Sequence, residues 1–251
     1  TVGFTSSGAD GDTNFSGMTS LVNGQMYNGS ADLTLTHGAA ATLGASSISL
    51  DLRGATAGTF TAAGIETLTV NSNLTASTLT AVAASSMTNL NVAGSANLTV
   101  SSPVDFADNA TSSTAVDGTV DASGFSGVLT FAPNTSDNVA VTGGSGDDVI
   151  QMSTGLNAYD TIDGGDGEDT VSISLAAATG AEAAYSSQLA TLSNVETLDV
   201  TSTNNNASVS MGSVSSDVSK IILGSNVRVV TVTGTIATDG EDLAYTLNGV
   251  T

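Results

Sequence analysis

The sequence predicts an all-β fold, in the form of a parallel β-roll or β-solenoid. Apolar residues alternate with Thr, Ser and Asn in short clusters, which is the pattern of strands that bury one face. The clusters recur after roughly ten residues, and Gly, Asn, Asp or Ser fills the space between them. A glycine-rich pattern also repeats in the second half of the chain. Many short strands joined by tight turns are therefore expected.

The clearest predicted strands are rich in Val and Thr, which favour extended backbone. They lie at 67–70, 90–92, 97–100, 128–131, 139–141, 197–200 and 228–234. A repeated phrase, "GIETLTV" at 64–70 and "NVETLDV" at 194–200, leads into two of them, and "MTNLNV" at 87–92 is a weaker third copy. We interpret the phrase as one supersecondary unit used more than once.

One segment differs from the rest. Residues 181–192, "AEAAYSSQLATL", contain no glycine, and their Ala and Leu positions are compatible with a short amphipathic helix. We expect this helix to pack against the strands or to cap them.

The composition excludes several classes of function. The 251 residues include 24 acidic and 3 basic side chains, no cysteine and no tryptophan, and the net charge is −21. Nucleic acids and anionic membrane surfaces are disfavoured as partners, because both are bound through Lys and Arg. No apolar run is long enough to span a bilayer. The missing positive charge must come from solution, and divalent metal ions are its natural source.

Two copies of the pattern G-G-x-G-x-D-x-U-x, where U is a large aliphatic residue, carry the most specific chemistry. They occupy 143–151 and 164–172, with Asp148 and Asp169 at the sixth position. We call residues 143–148 the first glycine turn and residues 164–169 the second. Glycine allows positive φ, so each turn can be tight with its carbonyl groups pointing inward.

Degraded copies of the same pattern fill the space before and between the complete ones. Residues 155–163 keep Asp160 and the aliphatic position, and residues 134–142 keep only Val141. The phase holds from 134 to 172 apart from a three-residue insertion at 152–154. Because two nonapeptides make one coil of a parallel roll, copies two apart are expected to stack on the same edge.

This stacking predicts that Asp148 and Asp169 come together. Two carboxylates at short range repel each other strongly in partly desolvated surroundings. A calcium ion between them would reverse the sign, and turn carbonyls would complete the roughly six to eight oxygen ligands that it prefers. Zinc fits less well, because the chain has one histidine, far away in sequence, and no thiolate.

The predicted calcium site includes both complete turns and one aspartate of the degraded copy. Asp160 lies on the opposite edge in this register, where it is expected to ligate a second ion with Asp137 as a poor partner. The predicted site residues are Gly143, Gly144, Ser145, Gly146, Asp148, Asp160, Gly164, Gly165, Asp166, Gly167 and Asp169.

The nonapeptide resembles the calcium-binding repeat of RTX proteins, a family exported by type I secretion. The wider chain is similar to RTX-containing surface-layer proteins of Gram-negative bacteria. It shares their acidic, cysteine-free, Ser/Thr/Ala/Gly-rich composition, the "IETLTV" and "VETLDV" phrases and "VDASGFSGVLTF" at 120–131. Two good repeats are few for that family. The chain begins with Thr, which is typical of a processed chain or of a piece of a longer one.

The resemblance implies a calcium-dependent extracellular structural protein at the cell surface. It would assemble with copies of itself into a two-dimensional surface layer, with a cell-surface polysaccharide as a further partner. We expect a Ser/Thr/Ala-rich solenoid over 1–115 and a calcium-binding roll over 116–251, or else one continuous solenoid. The alternative function is a secreted RTX-type adhesin or a phage-fibre-like solenoid that binds a cell-surface partner.

Catalysis is the least favoured function. Paired carboxylates could serve a polysaccharide-active enzyme, but aromatic residues are 4% of the chain and sugar-cleaving clefts need aromatic platforms. His37 with Ser46 or Ser47 could form a base and nucleophile, although a strand-end histidine is the favoured interpretation. We expect no enzyme.

Three further acidic segments are weaker calcium candidates. They are 7–17 with Asp10, Asp12 and Asn14, 105–110 and 238–243. Solvated turns explain them at least as well, because none has the complete ligand pattern of a calcium loop.

Overall fold

The computed structural model describes residues 4–5, 11–108, 114–175, 189–202, 207–210, 214–224, 227–231 and 244–247. Within these residues the chain is a parallel β-solenoid of about eight windings. The predicted fold class is confirmed. No helix in this described part is long and apolar enough to cross a membrane.

The described strands form four parallel sheets. The largest has the order β1 (Phe4–Thr5), β3 (Gly24–Tyr27), β5 (Ser47–Arg53), β7 (Thr67–Ser72), β10 (Asn89–Gly94), β12 (Gly118–Asp121), β14 (Val139–Thr142), β16 (Thr161–Asp163) and β18 (Leu192–Ser193). The second has the order β8 (Ser77–Leu79), β11 (Leu98–Val100), β13 (Leu129–Phe131), β15 (Val149–Ser153), β17 (Thr170–Leu175), β19 (Thr197–Ser202), β21 (Lys220–Leu223) and β23 (Ala244–Leu247). The third has the order β2 (Thr13–Met18), β4 (Leu33–His37), β6 (Thr59–Ala63) and β9 (Ala81–Ala83), and β20 (Ala207–Ser210) pairs with β22 (Val227–Thr231).

From β1 to β19, each winding passes once through the nine-stranded sheet. Beyond β19 the described strands β21 and β23 continue the eight-stranded sheet. From β2 to β7 the chain alternates between this sheet and the four-stranded one, and from β10 to β19 it alternates with the eight-stranded one. The change occurs at β8 and β9, which follow each other directly in one winding. The glycine turns therefore lie on the edge where the chain leaves the nine-stranded sheet and enters the eight-stranded one.

The core is built from the inward-facing residues of successive strands, which lie in register. Strand residues alternate between buried and outward positions, as the two-residue period of a strand requires. One buried column on the nine-stranded sheet consists of Ile48, Leu68, Leu90, Val120, Val141, Ile162 and Leu192. Each such side chain, fully removed from water, contributes about 1.5–3 kcal/mol to the free energy of unfolding.

The core is continuous across the predicted boundary at residue 115. Strands β10 and β12, which lie on either side of that residue, pair in one sheet. The buried apolar residues form one cluster that extends from Met26 to Leu223.

The strand predictions are confirmed and the end of the helix prediction is wrong. The clusters at 67–70, 90–92, 97–100, 128–131, 139–141 and 197–200 coincide with β7, β10, β11, β13, β14 and β19, and the described part of 228–234 lies in β22. Of the predicted helix, residues 181–188 lie outside the described residues. Leu189–Thr191 is a single 3-10 turn, and Leu192 begins β18, where it pairs with Ile162 and continues the buried column.

The repeated phrase has the same local structure in its two full copies. Gly64 and Asn194, at the first position, both have positive φ, 78° and 49°. Ile65 and Val195, at the second position, are fully buried. The two copies then enter strands of different sheets, because β7 belongs to the nine-stranded sheet and β19 to the eight-stranded one.

Candidate metal centre

The two glycine turns stack directly on each other, one winding apart. The Gly143 N–H donates to the Asp163 carbonyl at 2.7 Å, and the Thr170 N–H donates to the Asp148 carbonyl at 2.9 Å. The strands that follow the turns pair in register, with Ile150 opposite Val171. The nonapeptide phase read from the sequence therefore gives the correct stacking.

The glycines are required mainly because the stacked backbones approach closely. A Cβ atom at Gly146 would lie 2.5 Å from the Gly127 carbonyl oxygen, and one at Gly167 would lie 2.7 Å from the Gly146 carbonyl oxygen. Only Gly165 and Gly167 of the two turns have positive φ, 96° and 131°. For the first turn the expectation of positive φ is wrong, since close approach is the constraint there.

A column of acidic side chains runs along this edge and bonds the backbone of successive coils. The Leu129 N–H donates to Asp148 Oδ1, the Asp148 N–H donates to Asp169 Oδ1 and the Asp169 N–H donates to Glu196 Oε2, each at 2.7 Å. Asp148 and Asp169 are fully buried. Each carboxylate takes the place of a main-chain acceptor where the chain turns. These acidic side chains therefore hold successive coils together.

The two aspartates differ in their second oxygen. Asp148 Oδ2 accepts the Gly144 N–H at 2.8 Å, within its own turn. In the second turn the corresponding N–H, that of Gly165, donates instead to Asp163 Oδ1 at 3.2 Å. Asp169 Oδ2 is consequently buried without a hydrogen-bond partner. A buried oxygen of this kind is destabilising unless a proton or a cation reaches it.

The electrostatics of the column follow from burial and crowding. Burial first, and then the charges of Asp148, Glu196 and Asp147, raise the pKa of Asp169 to about 7, although the bond from the Asp148 N–H opposes the rise. Burial also raises the pKa of Asp148, against the bonds from Gly144 and Leu129. Negative charge is therefore costly at this edge in the absence of a counter-ion.

The opposite edge carries Asp160 and Asp137, whose carboxylate oxygens all have hydrogen-bond partners. Asp160 Oδ1 accepts the Val139 N–H at 2.8 Å, and its Oδ2 accepts the Asn157 N–H at 2.7 Å. Asp137 Oδ2 accepts the Phe106 N–H at 2.8 Å, and its other oxygen accepts a neighbouring serine hydroxyl. Burial raises the pKa of both carboxyls. These contacts give the two aspartates a role in closing the coil.

Side chains alone do not make a metal site. Across the described ranges, no group of three or more His, Cys, Asp or Glu side chains is arranged to hold a metal ion. Backbone oxygens are available, however. A Cβ atom at Gly143 would overlap the Gly164 carbonyl oxygen and lie 2.9 Å from Asp148 Oδ2, and one at Gly164 would overlap the Asn194 carbonyl oxygen and lie 2.5 Å from Asp169 Oδ2. Each Oδ2 thus has a carbonyl oxygen close by, and an oxygen-only set suits a hard cation such as calcium.

Glu196 and Asn194 were not among the predicted site residues. The structure brings them to Asp169 because Thr197 pairs with Thr170. The signal in the sequence was the "NVETLDV" phrase, whose glutamate precedes its strand just as the motif aspartates precede theirs. The intervening segment of 20 or more residues hid this relation, since the nonapeptide phase is lost after residue 172.

The remaining candidates have ordinary structural contacts where they are described. Asp12 Oδ1 accepts the Asp32 N–H at 3.1 Å, and Asp105 Oδ1 accepts the Asn134 side-chain amide at 2.5 Å. Asn14 lies in β2 and pairs with Thr34. Asp10 and the segment 238–243 lie outside the described residues.

His37 and Ser46 are both buried. His37 ends β4, and its Nε2 accepts the Val22 N–H at 3.2 Å. The Ser46 hydroxyl donates to the Gly64 carbonyl at 2.8 Å and accepts the Glu66 N–H at 3.1 Å. Both residues have the contacts of structural side chains at the ends of strands.

Comparison of the chain with protein-family models, with curated proteins and with solved structures finds no match.

Proposed function

We propose that the chain is a calcium-dependent extracellular structural protein that assembles with copies of itself into a cell-surface layer. One observation carries the calcium dependence: the buried, unpaired Oδ2 of Asp169 within a stack of acidic glycine turns. The stack supplies carboxylate and carbonyl oxygens and no nitrogen or sulfur ligand, which favours calcium over transition metals.

Asp169 and its neighbours would hold the ion with groups already fixed by the fold. The Asp148 N–H bond fixes Asp169 Oδ1, so the carboxylate need not reorganise to present its free oxygen. The glycine columns keep the two coils close enough for backbone carbonyls to take part. A bound calcium ion would supply the two positive charges that this edge lacks.

Charge across the whole chain supports the same proposal. With 24 acidic and 3 basic side chains, repulsion opposes compaction where calcium is scarce, as it is inside a cell. Outside the cell, ions that bind only the folded state stabilise it. A site filled at 100 times its Kd contributes about 2.7 kcal/mol, a large share of a typical stability of about 5–15 kcal/mol.

Assembly into a layer is supported by the outward faces of the solenoid. On the nine-stranded sheet, Thr67, Asn89 and Thr119 lie side by side at outward positions. Short polar side chains on a regular sheet present a flat surface that a second copy can approach once its charge is screened. Calcium would thus act twice, within the coils and between copies.

The test compares the purified chain with calcium chloride and with EGTA. We expect calcium to raise the melting temperature followed by circular dichroism, and electron microscopy to reveal sheets only when calcium is present. Identical melting curves in the two conditions would contradict the calcium dependence. A calcium-stabilised monomer that binds cells or glycans and forms no sheets would instead identify an adhesin.

A further inference from the structure

We propose that Asp169 shares a calcium ion with Glu196 and the Asn194 carbonyl oxygen, one winding beyond the glycine repeat. This inference rests on the proposed calcium dependence and assigns the ion to a site that the nonapeptide pattern does not include. The pattern alone pairs Asp169 with Asp148, whereas the geometry points to the following coil.

The two oxygens of Asp169 have different surroundings. Oδ1 lies toward the preceding coil, where it accepts the Asp148 N–H at 2.7 Å. Oδ2 lies 2.5 Å from the position that a Cβ atom at Gly164 would take, and a Cβ atom there would also overlap the Asn194 carbonyl oxygen. The free oxygen of Asp169 and a carbonyl of the following coil are therefore neighbours, and they can lie this close because Gly164 has no Cβ.

Glu196 brings a second carboxylate to the backbone of Asp169. Its Oε2 accepts the Asp169 N–H at 2.7 Å, and its charge acts on the Asp169 carboxyl. The side chain is only half-buried, so water can reach the site from this side. Calcium keeps water ligands readily and tolerates irregular oxygen geometry, which this combination of two carboxylates, a carbonyl and solvent would provide.

The turn that carries the Asn194 carbonyl is held by two other acids. The Asn194 side-chain amide donates to Asp163 Oδ1 at 2.7 Å, and the Asn194 backbone N–H donates to Asp217 Oδ2 at 3.0 Å. Asn194 has φ of 49°, a left-handed conformation that Asn tolerates better than most residues. The carbonyl is thus positioned before any ion arrives.

The asymmetry between the two turns explains why the ion belongs here. In the first turn the Gly144 N–H satisfies Asp148 Oδ2. In the second turn the equivalent N–H is directed to Asp163, so the Asp169 oxygen remains without a donor. Asp163 Oδ1 accepts both the Gly165 N–H and the Asn194 side-chain amide. It therefore leaves Asp169 Oδ2 free and also fixes the residue whose carbonyl would bind the ion.

The test measures calcium binding to the full chain by titration calorimetry with calcium chloride. Glu196→Gln retains an oxygen that can accept the Asp169 N–H but removes the charge. Glu66→Gln is the matched control, because Glu66 occupies the same position in the other full copy of the phrase. We expect E196Q to lose one calcium per chain or to bind it at least about tenfold more weakly, and E66Q to match the unsubstituted chain.

Failure of the proposed site and failure of the general calcium dependence give different results. If E196Q binds calcium like the unsubstituted chain while Asp148→Asn loses an ion, the ion lies between Asp148 and Asp169 and the proposed site is wrong. If the unsubstituted chain binds no calcium, both proposals fail together. Melting in EGTA monitors folding, and we expect E196Q to melt no lower than the unsubstituted chain there, because a repulsive charge has been removed.

Discussion

The backbone N–H of Asp148 donates a 2.7 Å hydrogen bond to Oδ1 of Asp169, one winding further along the chain. The same carboxylate buries its Oδ2 without a donor. One half of the Asp169 side chain thus stabilises the stacking of coils, and the other half leaves a charge that the protein alone does not compensate. The pH and calcium dependence of the fold both follow from this division.

The metal-free chain should become more stable as the solution is acidified from pH 8 toward pH 5. The pKa of Asp169 is raised from its ordinary 3.8 to about 7 by burial first and by neighbouring acids second. Between these values the folded chain binds more protons than the unfolded chain, so the free energy of unfolding rises as the pH falls. Melting temperatures in EGTA across this range measure the effect.

Asp169→Asn should weaken this pH dependence and abolish the stabilisation by calcium. The amide oxygen can still accept the Asp148 N–H, and the amide NH₂ would face the Asn194 carbonyl oxygen that lies beside Oδ2. We expect a higher melting temperature than the unsubstituted chain at pH 8 in EGTA, and a lower one in excess calcium. A pH profile unchanged by D169N would contradict the assignment of the titration to this carboxyl.

Gly146→Ala should destabilise the roll by about 1–3 kcal/mol, the usual cost of forcing an extra carbon into packed surroundings. The added Cβ would lie 2.5 Å from the Gly127 carbonyl oxygen, which is backbone and cannot move without shifting the coil. Gly124→Ala is the matched control, because a Cβ there would have no atom within 4 Å. Urea unfolding of both variants measures the difference, and equal midpoints would show that the coils are not in close contact at Gly146.

The stacking at this edge could be predicted from the sequence, because a fixed nonapeptide period leaves one register for the coils. For that reason the Asp148 backbone and the Asp169 carboxylate are hydrogen-bonded neighbours. The partner of Asp169 on its other side could not be predicted in the same way. Glu196 reaches it through the pairing of Thr170 with Thr197, across a long segment that no short period spans.

The hydrogen-bond partners of the acidic side chains also could not be predicted from the sequence. Asp160 and Asp169 have the same place in the pattern, yet both oxygens of Asp160 accept backbone N–H groups whereas Asp169 keeps one free. The Asn157 N–H donates to Asp160 Oδ2, whereas the Gly165 N–H of the second glycine turn donates to Asp163 Oδ1 and leaves Asp169 Oδ2 without a donor. The backbone geometry of each turn decides which N–H donates to the second carboxylate oxygen, and the spacing of residues in the sequence does not predict it.

Magnesium should replace calcium poorly in raising the melting temperature. The Asp169 surroundings combine carboxylate and carbonyl oxygens fixed by the stacking, whereas magnesium demands near-ideal octahedral geometry and gives up its water reluctantly. At 100 times its Kd, calcium should add about 2.7 kcal/mol per site, which corresponds to roughly 5–10 °C for a chain of this size. Melting curves at equal concentrations of the two chlorides compare the ions directly, and equal shifts would indicate general charge screening instead of a site.

The single histidine should titrate below its ordinary pKa and act on stability with the opposite sign to Asp169. Burial lowers the pKa of His37 from 6.5. Its Nε2 accepts the Val22 N–H, so the neutral ring carries hydrogen on Nδ1, which is buried without a partner. Below pH 6.5 the unfolded chain takes up the proton first, so this residue lowers the free energy of unfolding as the pH falls.

Nuclear magnetic resonance can follow this histidine without ambiguity, because the chain contains only one. We expect the ring proton signals of the folded chain to titrate with a midpoint below 6.5, and those of the urea-unfolded chain to titrate near 6.5. His37→Gln keeps an acceptor for the Val22 N–H and should remove the histidine contribution to acid sensitivity. A folded-state midpoint at or above 6.5 would mean that solvent reaches the ring, and the N-terminal coils would then be more open than the buried position of His37 implies.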